Sequence, residues 1–175
     1  RAINDGVYAR RAAVETASVS IDVQAPSNFE RLVFEASGRD ADATRDLLET
    51  FARDGQARLD DDLRQAVQSQ IAAVSVDEAA THDSIARAWT RWGRVVCPHT
   101  AVGLEAARRL ALQGPVVVLS TAHASKFPDA VRAAVGFDPE SAPVVAALTD
   151  QAERLTVIDA DLNQARGRVS ALWET

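Results

Sequence analysis

The chain has 175 residues, 47% hydrophobic and 25% charged, with a formal net charge of −6. That length supports one sizeable core, and the composition is that of an ordinary globular domain. An acidic surface repels polyanions, which argues against nucleic acid or an anionic membrane as the main partner. No apolar run approaches the ~18 residues of a bilayer span, and no basic, apolar leader opens the chain, so the expected location is the cytoplasm. A single cysteine, Cys97, excludes an internal disulfide. The chain starts at Arg1 and contains no methionine, so the expectation is a portion of a longer protein.

Residues 1–19 carry weak periodicity and read as a boundary piece. Ser20-Ile21-Asp22-Val23-Gln24 alternates like a short strand. Ser27 is placed to cap a helix running through Ala36, with Glu30 completing a capping box and Gly38 as its stop. Its apolar face would be Phe29, Leu32, Val33 and Ala36. Residues 1–39 are thus expected to form a boundary segment and the first helix of an α/β part.

Residues 40–93 read as a helical insert of three amphipathic helices with no strand between them. The first carries Leu47, Leu48, Phe51 and Ala52 and ends at Gly55. The second carries Leu63, Ala66, Val67, Ile71 and Val74. The third starts at an Asp77 cap, carries Ile85, Ala88, Trp89 and Trp92, and ends at Gly93.

From residue 94 to the end the pattern becomes α/β. Pro98 suits the first turn of a helix through about Leu112, with Val102, Leu104, Ala107 and Ala111 inward. Val116-Val117-Val118-Leu119 reads as a buried strand, apolar on both faces as in a parallel sheet. A helix from Phe127 to Val135 stops at Gly136, and Leu155-Thr156-Val157-Ile158 reads as another strand. Asp161 caps a last helix reaching Trp173. This order is that of a doubly wound sheet with too few strands to be whole, so exposed apolar surface and self-association are expected.

Candidate site residues cluster where elements begin and end. Ser120 and Thr121 end the first apolar run, where ligands bind in open parallel sheets; their hydroxyls either face a ligand or cap the next helix. His99 and Thr100 sit in the first turn of a helix, where backbone N–H groups favour anions. They line a pocket or satisfy backbone groups at the helix start. Asn28 is a candidate pocket contact, whereas Glu30 and Arg31 read as an ion pair or as an anion contact. His82, His99 and His123 are scattered and no second cysteine exists, so no metal site is expected.

Three stretches, in order, resemble the C-terminal part of threonine synthase: Pro26-Ser27-Asn28-Phe29-Glu30-Arg31-Leu32, Cys97-Pro98-His99-Thr100-Ala101-Val102-Gly103, and Ser120-Thr121-Ala122-His123-Ala124-Ser125-Lys126-Phe127-Pro128. The resemblance spans about residues 18–165. The family's His-Pro-Ala-Lys-Phe is here His123-Ala124-Ser125-Lys126-Phe127, and the lost proline loosens that turn.

The resemblance implies the C-terminal part of a doubly wound, fold type II (tryptophan synthase β-like) enzyme using pyridoxal phosphate (PLP). The implied reaction converts O-phospho-L-homoserine and water to L-threonine and phosphate. Thr121, with Ser120 beside it, is implied to approach the pyridine nitrogen, where a neutral hydroxyl gives a milder electron sink than a carboxylate. Asn28, His99 and Thr100 are implied to line the pocket. Lys126, the only lysine in the chain, is not the family's cofactor lysine. That Schiff-base lysine and the phosphate loop are expected upstream of Arg1, so this chain alone is expected to be inactive and to need the missing N-terminal part as its partner. The rival reading is an inactive interaction module derived from such an enzyme.

Overall fold

Aromatic residues from three separate segments build the first core. In the computed structural model, which describes residues 1–173, Tyr8 stacks on both Phe29 and Phe51 with ring centroids 4.2 Å apart in each pair. Val33, Ala57, Leu59 and Val67 are buried around them. Each such side chain contributes about 1.5–3 kcal/mol when fully removed from water.

The elements feeding this core are α1 (Ala2–Asp5), β1 (Val7–Ala9), α2 (Phe29–Ala36), α3 (Ala41–Asp54), β2 (Gln56–Arg58) and α4 (Asp61–Gln68). β1 and β2 pair antiparallel, with Tyr8 opposite Ala57. Alternation along a strand then sends both Tyr8 and Ala57 inward.

A second layer follows: α5 (Glu78–Trp92), α6 (Pro98–Leu110) and α7 (Pro128–Val135). α5 packs on both α6 and α7, and Ile85, Ala88, Cys97, Ala101 and Val131 are buried on these helices. The caps follow the chemistry read from the sequence. Asp77 accepts the Ala80 N–H, and Gly93 closes α5 in the left-handed region at φ 60°. Gly55 and Gly136 close α3 and α7 likewise.

The chain divides into two compact units, Arg1–Glu140 and Ser141–Thr175. In the second, the described elements are α8 (Pro143–Ala146) and α9 (Leu162–Ala171), the latter capped by Asp161 through the Gln164 N–H. None of its described residues is buried.

Several expectations are corrected. Val116–Leu119 belongs to no sheet; Val117 is 87% and Leu119 77% exposed. Leu155–Ile158 is likewise unladdered, with Leu155 and Val157 exposed. A strand needs a neighbour to take its N–H and C=O groups, and none lies beside these two among the described residues. Residues 20–24 form no strand either, since a 3-10 turn occupies Val19–Ile21.

Asn28, not Ser27, precedes α2, and no side-chain cap bond forms there. The boundary piece contributes Tyr8 to the core, and β2 interrupts the three-helix insert. α4 stops at Gln68, so Ile71 and Val74 fall beyond it and are exposed. α6 buries Pro98, Thr100, Ala101 and Glu105 rather than Val102, Leu104, Ala107 and Ala111. The doubly wound class is nevertheless retained, as the likeness to solved structures below shows.

Candidate functional site

The first turn of α6 gathers four polar or soft side chains. Cys97 is its N-cap: the sulfur accepts the Thr100 N–H at 3.4 Å and lies 3.2 Å from Thr100 Oγ1. Pro98 follows, where its missing N–H would have had no helical partner anyway. Thr100 Oγ1 donates to Ser120 Oγ at 3.2 Å. That bond leaves the Ser120 hydroxyl hydrogen free for another acceptor.

Gly103 makes this meeting possible. A Cβ at Gly103 would stand only 2.9 Å from Val118 Cγ1. The bare helix surface therefore lets the stretch 115–119 run close enough to deliver Ser120 to Thr100.

His99 Nδ1 is hydrogen-bonded to Ser18 Oγ. The imidazole meets the Phe127 ring edge-on, with centroids 4.7 Å apart. Its other nitrogen, Nε2, is buried and has no hydrogen-bond partner. An unpaired buried polar atom costs about 1–3 kcal/mol, a cost that a polar ligand atom would remove.

Ser18 comes from a loop with its own lock. Its backbone N–H bonds Thr16 Oγ1 at 3.0 Å, and Thr16 donates to Asp22 at 2.8 Å through both its hydroxyl and its backbone N–H. The Glu78 carboxylate at the start of α5 accepts the Ala17 N–H.

The sequence-named residues thus divide. Thr100 and Ser120 come together, His99 precedes Thr100 in the same helical turn, and Thr121 follows Ser120, exposed and engaged by no hydrogen bond among the described residues. Asn28 is exposed ahead of α2, with no described contact to the cluster. Glu30 and Arg31 are exposed, and no described ion pair joins them; Glu30 instead borders a groove with Phe34, Thr44 and Leu48.

His123 caps a 3-10 turn over Ala124–Lys126, accepting the Ser125 N–H at 3.2 Å, with Ser125 Oγ 2.8 Å from its Nδ1. The serine that follows Ala124 here therefore supplies a local tie to the turn. Lys126 lies on the rim of a cavity of about 410 Å³ that also takes in Thr81, His82, Ile85 and Phe127.

Sequence reasoning missed Cys97, Ser18 and Glu105. Cys97 had a signal, because the residue before a helix-opening proline occupies the N-cap. Ser18 had none. Glu105 is 1% exposed, yet Arg87, Arg108 and Arg109 all donate to its carboxylate at 2.7–3.0 Å. Hydrogen bonds from Arg108 and then Arg109 hold its pKa far below the ordinary carboxylate range, against the opposing effect of burial. The arginines themselves stay partly in water, so a guanidinium roof rather than the apolar core shields this carboxylate. Arg109 also bonds the Ser75 carbonyl at 2.6 Å, so the clamp fastens α5 and the segment before it to α6.

A family model described as threonine synthase, C-terminal, matches residues 100–169. The chain is 36% identical over 156 residues to threonine synthase of Pseudomonas aeruginosa, covering 87% of this chain and 33% of that protein. It is 32% identical over 163 residues to human threonine synthase-like 2, covering 90% of this chain and 34% of the relative. The crystal structure of PLP-bound threonine synthase from Brucella melitensis superposes with a TM-score of 0.85 at 37% identity, covering 97% of this chain and 37% of that one.

The fold is therefore that of the C-terminal portion of a fold type II, doubly wound enzyme. The resemblance carried by the three motifs holds: within that class, the chain corresponds to the C-terminal portion of threonine synthases. The chain spans about a third of the length of the curated relatives it matches.

Proposed function

We propose that this chain is the C-terminal portion of a PLP-dependent threonine synthase, a lyase that takes O-phospho-L-homoserine and water to L-threonine and phosphate. The observation that carries the reading is the cluster at the start of α6, where Ser120 keeps a free hydroxyl hydrogen and His99 keeps a buried, unpartnered Nε2. Both are groups that a polar ligand would satisfy, and neutral hydroxyl donors suit a pyridine nitrogen. In that sense the residues fit the cofactor.

When bound, PLP supplies the electron sink for carbanion chemistry on the substrate. Ser120, with Thr121 beside it, would donate to the pyridine nitrogen. His99, in the opening turn of a 13-residue helix, would bind an anionic oxygen, favoured there by the helix dipole, while Thr100 would line the pocket and hold Ser120. Asn28 would line the substrate side. The cofactor lysine and the phosphate loop would come from residues preceding Arg1, and the rest of the protein would cover Val117 and Leu119. The cytoplasm is the expected place of work, and among the described residues no helix is long and apolar enough to cross a membrane.

Phosphate release from O-phospho-L-homoserine by the full-length protein carrying this chain tests the reading. Release that depends on added PLP and falls about ten- to a hundredfold in Ser120→Ala, one lost hydrogen bond being worth about 1–3 kcal/mol, is the expected result. A folded full-length protein that neither binds PLP nor releases phosphate would instead favour the inactive interaction module.

A further inference from the structure

Ser18 lies outside the three motifs that carry the family resemblance, and the proposed chemistry does not use it. Its placement is nonetheless tightly determined. The residue is 2% exposed, its backbone N–H is held by Thr16 Oγ1, and Thr16 is held by both Asp22 carboxylate oxygens. The hydroxyl therefore arrives at His99 Nδ1 from a pre-set loop. The Phe127 edge confines another side of the ring.

In a neutral imidazole, the bond made by one nitrogen decides what the other presents. If Ser18 donates to Nδ1, then Nε2 carries the hydrogen and is a donor. That nitrogen is the one left buried without a partner. It belongs to a residue in the opening turn of α6, where an anion is favoured.

We infer that Ser18 is a positioning residue for His99: it fixes the Nε2–H tautomer and so keeps one hydrogen-bond donor ready for an anionic oxygen, carboxylate or phosphate. This rests on the proposed placement of His99 at the ligand side of the site and adds the residue that sets its ring. Asp22 and Thr16 act one step further back, by holding the loop.

Long-range ¹H–¹⁵N spectra of histidine-labelled full-length protein in alkaline buffer test this, with the His99 signals identified by their loss in His99→Gln. The expected wild-type pattern is a single Nε2–H tautomer, with Nε2 moving on addition of inorganic phosphate while Nδ1 stays. Ser18→Ala should give a mixed-tautomer pattern and weaken the phosphate response about tenfold, the worth of about one hydrogen bond. Where Ser18→Ala does not fold, the nearly isosteric Ser18→Cys, a weaker hydrogen-bonding partner, should shift the pattern in the same direction.

A wild-type Nδ1–H tautomer would overturn the inference. So would a His99 spectrum and phosphate response unchanged in a folded Ser18 variant. These readings need no turnover. A protein that releases no phosphate from O-phospho-L-homoserine therefore refutes the proposed reaction without deciding Ser18, and the spectra decide Ser18 without deciding the reaction.

Discussion

The aromatic cluster around Tyr8 and the apolar stretch Val116–Leu119 both present large hydrophobic side chains and have opposite fates. Tyr8, Phe29 and Phe51 come from three segments and cover one another. Val117 and Leu119 lie within one segment and remain in water except where Val118 meets Gly103. Hydrophobic patterning therefore states what wants to be buried, while burial itself depends on which other segments are present.

The contrast can be put to measurement. Phe51→Ala should cost about 3–5 kcal/mol in chemical denaturation, as for a buried aromatic whose neighbours cannot collapse into the gap. A loss under 1 kcal/mol would mean that the cluster is no tighter than the stretch.

Glu105→Gln should come next, at about 1–3 kcal/mol. Removing the carboxylate leaves three guanidinium groups facing one another, but their partial exposure lets water relieve them, which keeps the cost below that of a deeply buried pair. The folded-state pKa of Glu105 is depressed. Its contribution should therefore be complete above the unfolded value of about 4.3 and fade only as pH falls through the lower, folded value. Denaturation curves of wild type and variant should run parallel at neutral pH and converge in strong acid; a gap that closes already near neutrality would contradict the clamp.

Gly103→Ala should destabilise by about 1 kcal/mol. Alanine gains roughly 1 kcal/mol of helix propensity, but overpacking against Val118 costs about 1–3 kcal/mol. A net gain in melting temperature would show that the stretch is free to step aside.

Leu119→Ser should change stability by less than about 0.5 kcal/mol, as a surface substitution does. Its visible effect should be weaker binding of a hydrophobic dye by the chain. A larger loss of stability would show that the stretch is covered after all.

Helix ends were the most legible features. Asp77, Asp161, Gly55, Gly93 and Gly136 each signal a cap through chemistry confined to one turn, and each stands where that chemistry places it. Strands were the least legible. Val116–Leu119 and Leu155–Ile158 carry the right residues, yet a ladder is a property of two segments and neither has a second among the described residues.

The site was half legible. Thr100 and Ser120 were marked by motif and meet in space, with His99 beside Thr100 in the chain, whereas Ser18 reaches His99 across 81 positions of sequence. Glu105 lies outside every motif stretch that the sequence singled out. Arginines three and four positions later, at 108 and 109, were the overlooked sign that it would be roofed over.

The contacts of Thr100 impose a sense of direction on the site. A threonine hydroxyl owns one hydrogen, and Thr100 gives it to Ser120. Cys97, at 3.2 Å, must then be the donor toward Thr100, while its sulfur receives the Thr100 N–H. The hydrogens thus line up head to tail from thiol to threonine to serine, and the serine's own hydrogen is the one left over. Ser120 can therefore offer an incoming group its hydrogen as well as one remaining lone pair, and reversing the polarity of the file would require every member to turn around together.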